Sequence, residues 1–199
     1  GPFEIWDNLG IQEAAEMIKS CGEEVPSWIN DMVDSGANSF YIFEDGKKKF
    51  YDINTKKYIN VPSSENHYIL DAFRENKQIL KNPECTVHDI GDGVMCIEFQ
   101  TKGNSIGEGI AKGINEAIDI AERDGWNGIV IGNNDKQFSV GANLMNMGMM
   151  AMQKNFDAIE EFLVGFQKIL MRMRTCNVPV VSATHGFVMG GGLEVSIHC

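Results

Sequence analysis

Apolar positions near the start of the chain recur at helical spacing. Between Phe3 and Ser20, the residues Ile5, Leu9, Ala14, Met17 and Ile18 suit one helical side, and Gly10 breaks the run into two short pieces. Pro26 stands just ahead of a second stripe formed by Trp28, Ile29, Met32 and Val33, which Gly36 stops. From Ser39 to Val61 this period gives way to aromatics and lysines. Tyr41, Phe43, Phe50, Tyr51 and Tyr58 surround an Asp45-Gly46 turn signal. That pattern predicts a short hairpin or an extended tail, with a surface loop carrying docked aromatics as the alternative. Residues 63–82 return to a polar helical pattern, with Tyr68, Ile69, Ala72, Phe73 and Leu80 on its apolar side and Pro83 closing it. This stretch is expected to be a linker helix.

Beyond Cys85 the pattern changes again. Val94–Phe99 reads as a strand after the Gly91-Asp92-Gly93 turn. Residues 105–123 read as a helix with Ile106, Ile110, Ile114, Ala117, Ile118 and Ala121 on its face. Gly128–Gly132 is a wholly apolar strand of the kind buried on both faces. Residues 155–174 place Ile159, Phe162, Leu163, Phe166, Leu170 and Met173 at intervals of three and four, and Pro179–Ala183 forms the next strand. Strand, helix, strand, helix, strand, glycine turn and helix is an α/β order that gathers its loops at one end of a sheet.

Composition narrows the function more than the fold. The 199 residues are 43% hydrophobic and 23% charged, which is ordinary for a globular protein. A net charge of -11 and a pI near 4.8 argue against a nucleic-acid surface. Five scattered cysteines without a Cys-x-x-Cys pair suggest neither a zinc site nor a disulfide framework, so reduced thiols and no metal are expected. No apolar segment is long enough to span a bilayer and no signal-peptide pattern opens the chain, so a cytoplasmic protein with no membrane partner is expected. The chain does not begin with Met and stops five residues after Glu194, from which a fragment of a longer protein is expected. Gly1-Pro2 is either a tag scar or native sequence.

Two glycine-containing turns follow strands and carry the candidate chemistry. The first is Gln137-Phe138-Ser139-Val140-Gly141-Ala142-Asn143-Leu144. The second runs from His185 through Gly190-Gly191-Gly192 to Glu194. Glycines open the backbone to a ligand, and a helix start adds N–H donors and a positive dipole end. One amide from each turn could grip a single oxygen, which makes an oxyanion hole rather than a phosphate cradle. Taken singly, each turn is more often tight packing than a site, and Glu194 alone reads as an ordinary first-turn glutamate. Competing motifs fail on single residues. Ser139 lacks the glycine two places before it that a nucleophile elbow needs, and Lys112 breaks the dinucleotide pattern of Gly107, Gly109 and Gly113. The cluster Met145, Met147, Met149, Met150 and Met152 suits either an acyl-chain wall or core filling. Trp6 and Trp28 are expected to pack, and His67 and His88 to lie at the surface.

The two turns together resemble the crotonase superfamily of enoyl-CoA hydratases and isomerases, with its Phe-Ser-x-Gly-Ala-Asp-Leu turn and its Pro-Val-x-Ala-x-x-Gly-x-x-x-Gly-Gly-Gly-x-Glu segment. The resemblance implies the N-terminal half of a crotonase-like ββα spiral. In it the Ala142 and Gly191 N–H groups would hold a thioester oxygen, Glu194 would be the catalytic acid/base, and Ser139, Gly141, Asn143, Leu144 and Gly190 would border an acyl-CoA substrate. Asn143 stands where the family has Asp, which puts any role of that side chain in doubt but leaves the backbone donor. The second glutamate that hydratases of the family use is not in this chain, so hydration and isomerisation are not separated. Residues 1–10, Val25–Trp28 and Ser39–Tyr41 are similar to the end of the helical region of a 3-hydroxyacyl-CoA dehydrogenase. The order resembles the fused bacterial dehydrogenase/hydratase proteins of fatty-acid β-oxidation. It implies an all-α dehydrogenase tail over 1–62, a linker helix over 63–84 and half a crotonase domain over 85–199. The fragment itself would bind no cofactor. NAD would belong to the upstream dehydrogenase, the parent would be a homo-oligomer, and the fragment alone would be inactive. The alternatives are a non-catalytic acyl-CoA-binding or scaffold segment, and another reaction of the fold such as thioester hydrolysis.

Overall fold

A computed structural model describes residues 1–44, 46–62, 67–74 and 77–199. They form two compact units, Gly1–Ala72 and Phe73–Cys199.

In the first unit, helices α1 (Pro2–Leu9) and α2 (Ile11–Ser20) are separated by Gly10 at φ 90°, and α3 (Ser27–Asp34) starts directly after Pro26. The helical pattern of the opening residues is therefore observed. The all-α description of residues 1–62 is not, because β1 (Tyr41–Glu44), β2 (Lys47–Asp52) and β3 (Lys57–Asn60) form an antiparallel sheet in that order. Glu44 pairs with Lys47, so a two-residue turn joins β1 to β2; the first residue of the Asp45-Gly46 signal lies outside the described residues. Aromatic burial explains why sheet and helices stay together. Phe40 is buried with ring centroids of Trp6 and Trp28 each 5.9 Å away, and the Asp7 carboxylate accepts from the Phe40 and Tyr41 N–H groups at 2.6 and 3.0 Å.

The second unit is built on a five-stranded sheet, β4 (Gln78–Lys81), β5 (Cys85–Asp89), β6 (Val94–Phe99), β7 (Gly128–Gly132) and β8 (Val180–Ser182), in that spatial order. The first three strands pair antiparallel, and β6, β7 and β8 pair parallel. The linker helix expected over residues 63–82 is replaced by a 3-10 turn at Leu70–Phe73 and the edge strand β4; residues 63–66 and 75–76 of that stretch lie outside the described residues. Backbone pairing with β5 outweighs the local helical pattern there. Helix α4 (Glu108–Asp124) lays Ile110, Ile114, Ala117, Ile118 and Ala121 on the sheet and ends at Gly125 in the left-handed region, φ 73°. Gly107, Gly109 and Gly113 are packing glycines. A Cβ at Gly107 or Gly109 would collide with the Glu84 side chain, and one at Gly113 with the Cys85 thiol. Helices α5 (Leu144–Met152), α6 (Phe156–Thr175) and α7 (Gly191–Ile197) complete the unit, and α6 packs on α4.

His88 is not at the surface as expected but fully buried on β5. Its Nε2 lies 2.9 Å from Glu98 Oε2 on β6, and Arg74 Nη2 donates to Glu98 Oε1 at 2.7 Å. Nδ1 of His88 is buried with no hydrogen-bond partner among the described residues. Burial alone would raise the Glu98 carboxyl, but hydrogen bonds from His88 and Arg74 outweigh it and hold the group below its ordinary 4.5. A carboxyl depressed on folding stabilises fully above its unfolded value, and that contribution is lost as pH falls through the folded value. Glu98→Gln is therefore expected to lower stability at neutral pH and to flatten the decline below about pH 4.5, as chemical denaturation at a series of pH values would record.

Candidate functional site

Parallel β6, β7 and β8 send their following loops out from the same, carboxyl, end of the sheet, where open α/β sheets place ligands. The loop after β6 turns at Gly103 and Asn104, with φ 68° and 53°. Asn104 is buried, and its side-chain amide donates to the Gln137 carbonyl at 2.9 Å. The loops after β7 and β8 then run side by side. Phe138 N–H donates to His185 O at 2.9 Å, Ser139 N–H to Phe187 O at 3.1 Å, and Met189 N–H to Ser139 O at 3.0 Å. His185 Nε2, 2.9 Å from Asp135 O, ties the bases of the two loops.

Ser139 is fully buried, and its hydroxyl is structural rather than nucleophilic. It donates to Asn104 O at 2.6 Å and accepts from Gly141 N–H at 3.0 Å, locking the turn that follows. Gly141 O accepts from Ile106 N–H at 2.8 Å and Asn143 N–H donates to Ile106 O at 2.9 Å, so residues 141–143 form an extended bridge with Ile106. In extended backbone the middle residue turns its polar groups the opposite way, so the Ala142 N–H points away from Ile106. It faces the second turn. A Cβ on Gly191 would sit 3.2 Å from Ala142 N, and a Cβ on Gly141 would sit 2.7 Å from Met189 O and 3.0 Å from Gly191 N. Glycine at 141 and 191 is what permits this approach, and Gly141 (φ 94°) and Gly190 (φ 46°) also occupy backbone conformations that side chains disfavour.

At the start of α7 the donors are divided. Gly192 N–H donates to Met189 O at 2.8 Å and Glu194 N–H to Gly190 O at 3.0 Å. Among the described residues, the amides of Ala142 and Gly191 donate to no protein acceptor. Two unengaged N–H groups on adjoining turns are the donors that an oxyanion hole requires. Glu194 lies one helical turn beyond Gly191, exposed at the surface. It lines a cleft of about 440 Å³ with Leu163, Phe166, Leu170, Met171 and His198.

Of the residues singled out from sequence, Ser139, Gly141, Ala142, Gly190 and Gly191 are brought together, and Glu194 stands beside them on α7. Asn143 caps α5, its side chain accepting from Met145 N–H at 3.2 Å, and Leu144 is 74% exposed at the start of that helix. No residue of α5 is buried, so its methionines do not fill the core. The motifs leave out Asn104, and Ile106, expected on a helix face, lies ahead of α4 in a bridge with Ala142; both fix the first turn. The available signal was the Gly103-Asn104 pair between a strand and a helix, since asparagine tolerates the left-handed region. Among the described residues no three His, Cys, Asp or Glu side chains are grouped to hold a metal, and no helix is long and apolar enough to cross a membrane.

The profile of the family described as enoyl-CoA hydratase/isomerase matches residues 89–199. A probable 3-hydroxyacyl-CoA dehydrogenase of Bacillus subtilis is 36% identical over 198 residues, spanning 99% of this chain and 25% of that protein. A mitochondrial enoyl-CoA hydratase of Pongo abelii is 29% identical over 97 residues, spanning 48% of this chain and 31% of that protein. The crystal structure of an enoyl-CoA hydratase/isomerase from Xanthobacter autotrophicus Py2 superposes with a TM-score of 0.53 at 23% identity, covering 60% of this chain and 45% of that one. The likeness to that crystal structure bears on the fold alone. The chain spans a third or less of the length of these two curated relatives.

Proposed function

The chain belongs to the enoyl-CoA hydratase/isomerase family, and from that premise we propose that it carries the thioester-gripping half of a site acting on 2-enoyl-CoA. The observation that carries this reading is the pair of unengaged amides, Ala142 and Gly191, facing each other across two glycine turns. In hydration, water oxygen bonds to C3 as the C2=C3 π bond breaks, and its electron pair moves onto the thioester oxygen. The two amides stabilise that enolate because they are already oriented when the charge appears. Glu194 accepts a proton from the water and returns it to C2 on the same face, which restores the thioester. Double-bond migration would pass instead through a dienolate, formed by loss of a proton and with its charge on the same thioester oxygen.

We further propose that the whole protein is a bifunctional enzyme of fatty-acid β-oxidation, forming a homo-oligomer. The similarity along 99% of this chain to the Bacillus subtilis relative supports the fusion with a dehydrogenase. Oxidation of the 3-hydroxyacyl product with NAD is assigned to residues other than these. The Gly107, Gly109 and Gly113 set packs against Glu84 and Cys85. Crotonyl-CoA added to the full-length protein tests the reading. Loss of the conjugated enoyl-thioester absorbance without release of free thiol is expected. Binding without turnover would instead favour an acyl-CoA scaffold, and release of free CoA thiol a hydrolase.

A further inference from the structure

Phe166 lines two clefts and reaches the second glycine turn. It is 7% exposed, and a Cβ on Gly191 would lie 3.6 Å from its ring tip. On one side it borders the cleft of about 440 Å³ that holds Glu194. On the other it borders a cleft of about 530 Å³ between α4, α5 and α6. Phe162 stacks on it with ring centroids 6.5 Å apart and planes 4° from parallel, which thickens the partition. The second cleft has an apolar lining of Ala111, Met150, Ala158, Phe162 and Ile169. Its charged residues are Glu108, Glu116 and Glu161 against Lys112, whose ammonium lies 3.8 Å from Glu116. This surplus of carboxylates repels the phosphates of CoA, while the apolar lining suits an alkyl chain.

We propose that Phe166 determines acyl-chain specificity, by separating the Glu194 cleft from the α4–α5–α6 cleft and so limiting how far a chain extends beyond the reacting carbons. This rests on the enoyl-thioester reading above. Replacing the ring with a small side chain would join the clefts, and each methylene that then gains burial is worth about a fourfold change in kcat/KM. The role is one of positioning and exclusion, with no part in bond making.

The test compares crotonyl-, octenoyl- and dodecenoyl-CoA in the full-length wild type and Phe166→Ala. The expected result is a rise of about tenfold or more in the octenoyl-to-crotonyl ratio of kcat/KM, carried by a lower KM for the longer substrate. Adding Ala158→Trp should refill the second cleft and return the ratio toward wild type. Should Phe166→Ala not fold, Phe166→Leu is expected to move the ratio in the same direction by less. Parallel changes for all chain lengths, or a ratio unaffected by Ala158→Trp in the Phe166→Ala background, would overturn the proposal. A wild type that turns over none of these substrates would instead remove the functional reading on which it rests.

Discussion

Gly141→Ala is expected to reduce turnover of enoyl-CoA at least about 10³-fold while leaving the protein folded. The new methyl would sit 2.7 Å from Met189 O, 3.0 Å from Gly191 N and 3.3 Å from Gly190 Cα. All three are backbone atoms, so no side chain can rotate to make room and the two turns must separate. Loss of one oxyanion donor costs about 2.7–4 kcal/mol of transition-state stabilisation, and here the relative position of both donors changes. Alanine at φ 94° adds a strain cost of about 1–3 kcal/mol to folding. Gly148→Ala on α5 is the control, because a Cβ there meets nothing within 4 Å. Steady-state kcat and thermal unfolding of the two variants should separate catalytic damage from general destabilisation. Equal activity in both would contradict the facing-amide account.

Glu194→Gln should lower kcat by about 10²–10⁴ with little change in KM. Glutamine keeps the size and polarity of the side chain but has no carboxylate to take a proton from water. The backbone of the site is untouched by this change, since Glu194 contributes to it through its N–H to Gly190 O at 3.0 Å. Under the proposed mechanism, substrate grip at Ala142 and Gly191 is expected to be kept while the proton transfer is lost. Stopped assays of the full-length protein with crotonyl-CoA would measure it, and wild-type turnover in the variant would remove the role given to Glu194.

The elements that sequence predicted well are those whose burial is paid by apolar side chains alone. The stripe Ile110, Ile114, Ile118 and the all-apolar Gly128–Gly132 both land in the core. The elements it missed bury polar groups against each other. His88 on β5 reads as a surface residue, yet it pairs with Glu98, and on the same strand Thr86 Oγ1 donates to Gln100 Oε1 at 2.9 Å. Such partners lie across the sheet and have no local signature. The same holds for β4, whose short polar segment becomes a strand only because β5 offers its edge. At the candidate site, the glycines and Glu194 were visible as motifs, since both turns need backbone approach. What holds them in register, the Asn104–Ser139 contact and the Ile106 bridge, depends on a third loop that the motifs do not mention.

The central claim is that the amides of Ala142 and Gly191 act together on one thioester oxygen. Infrared difference spectroscopy of bound crotonyl-CoA carrying ¹³C at the thioester carbonyl addresses it directly, because hydrogen bonds to the oxygen lower the carbonyl stretching frequency. A lowered frequency is expected in the wild type and in Glu194→Gln, and its return toward the free value in Gly141→Ala. A carbonyl frequency in the wild type equal to that of free crotonyl-CoA, or one unmoved by Gly141→Ala, would contradict the claim.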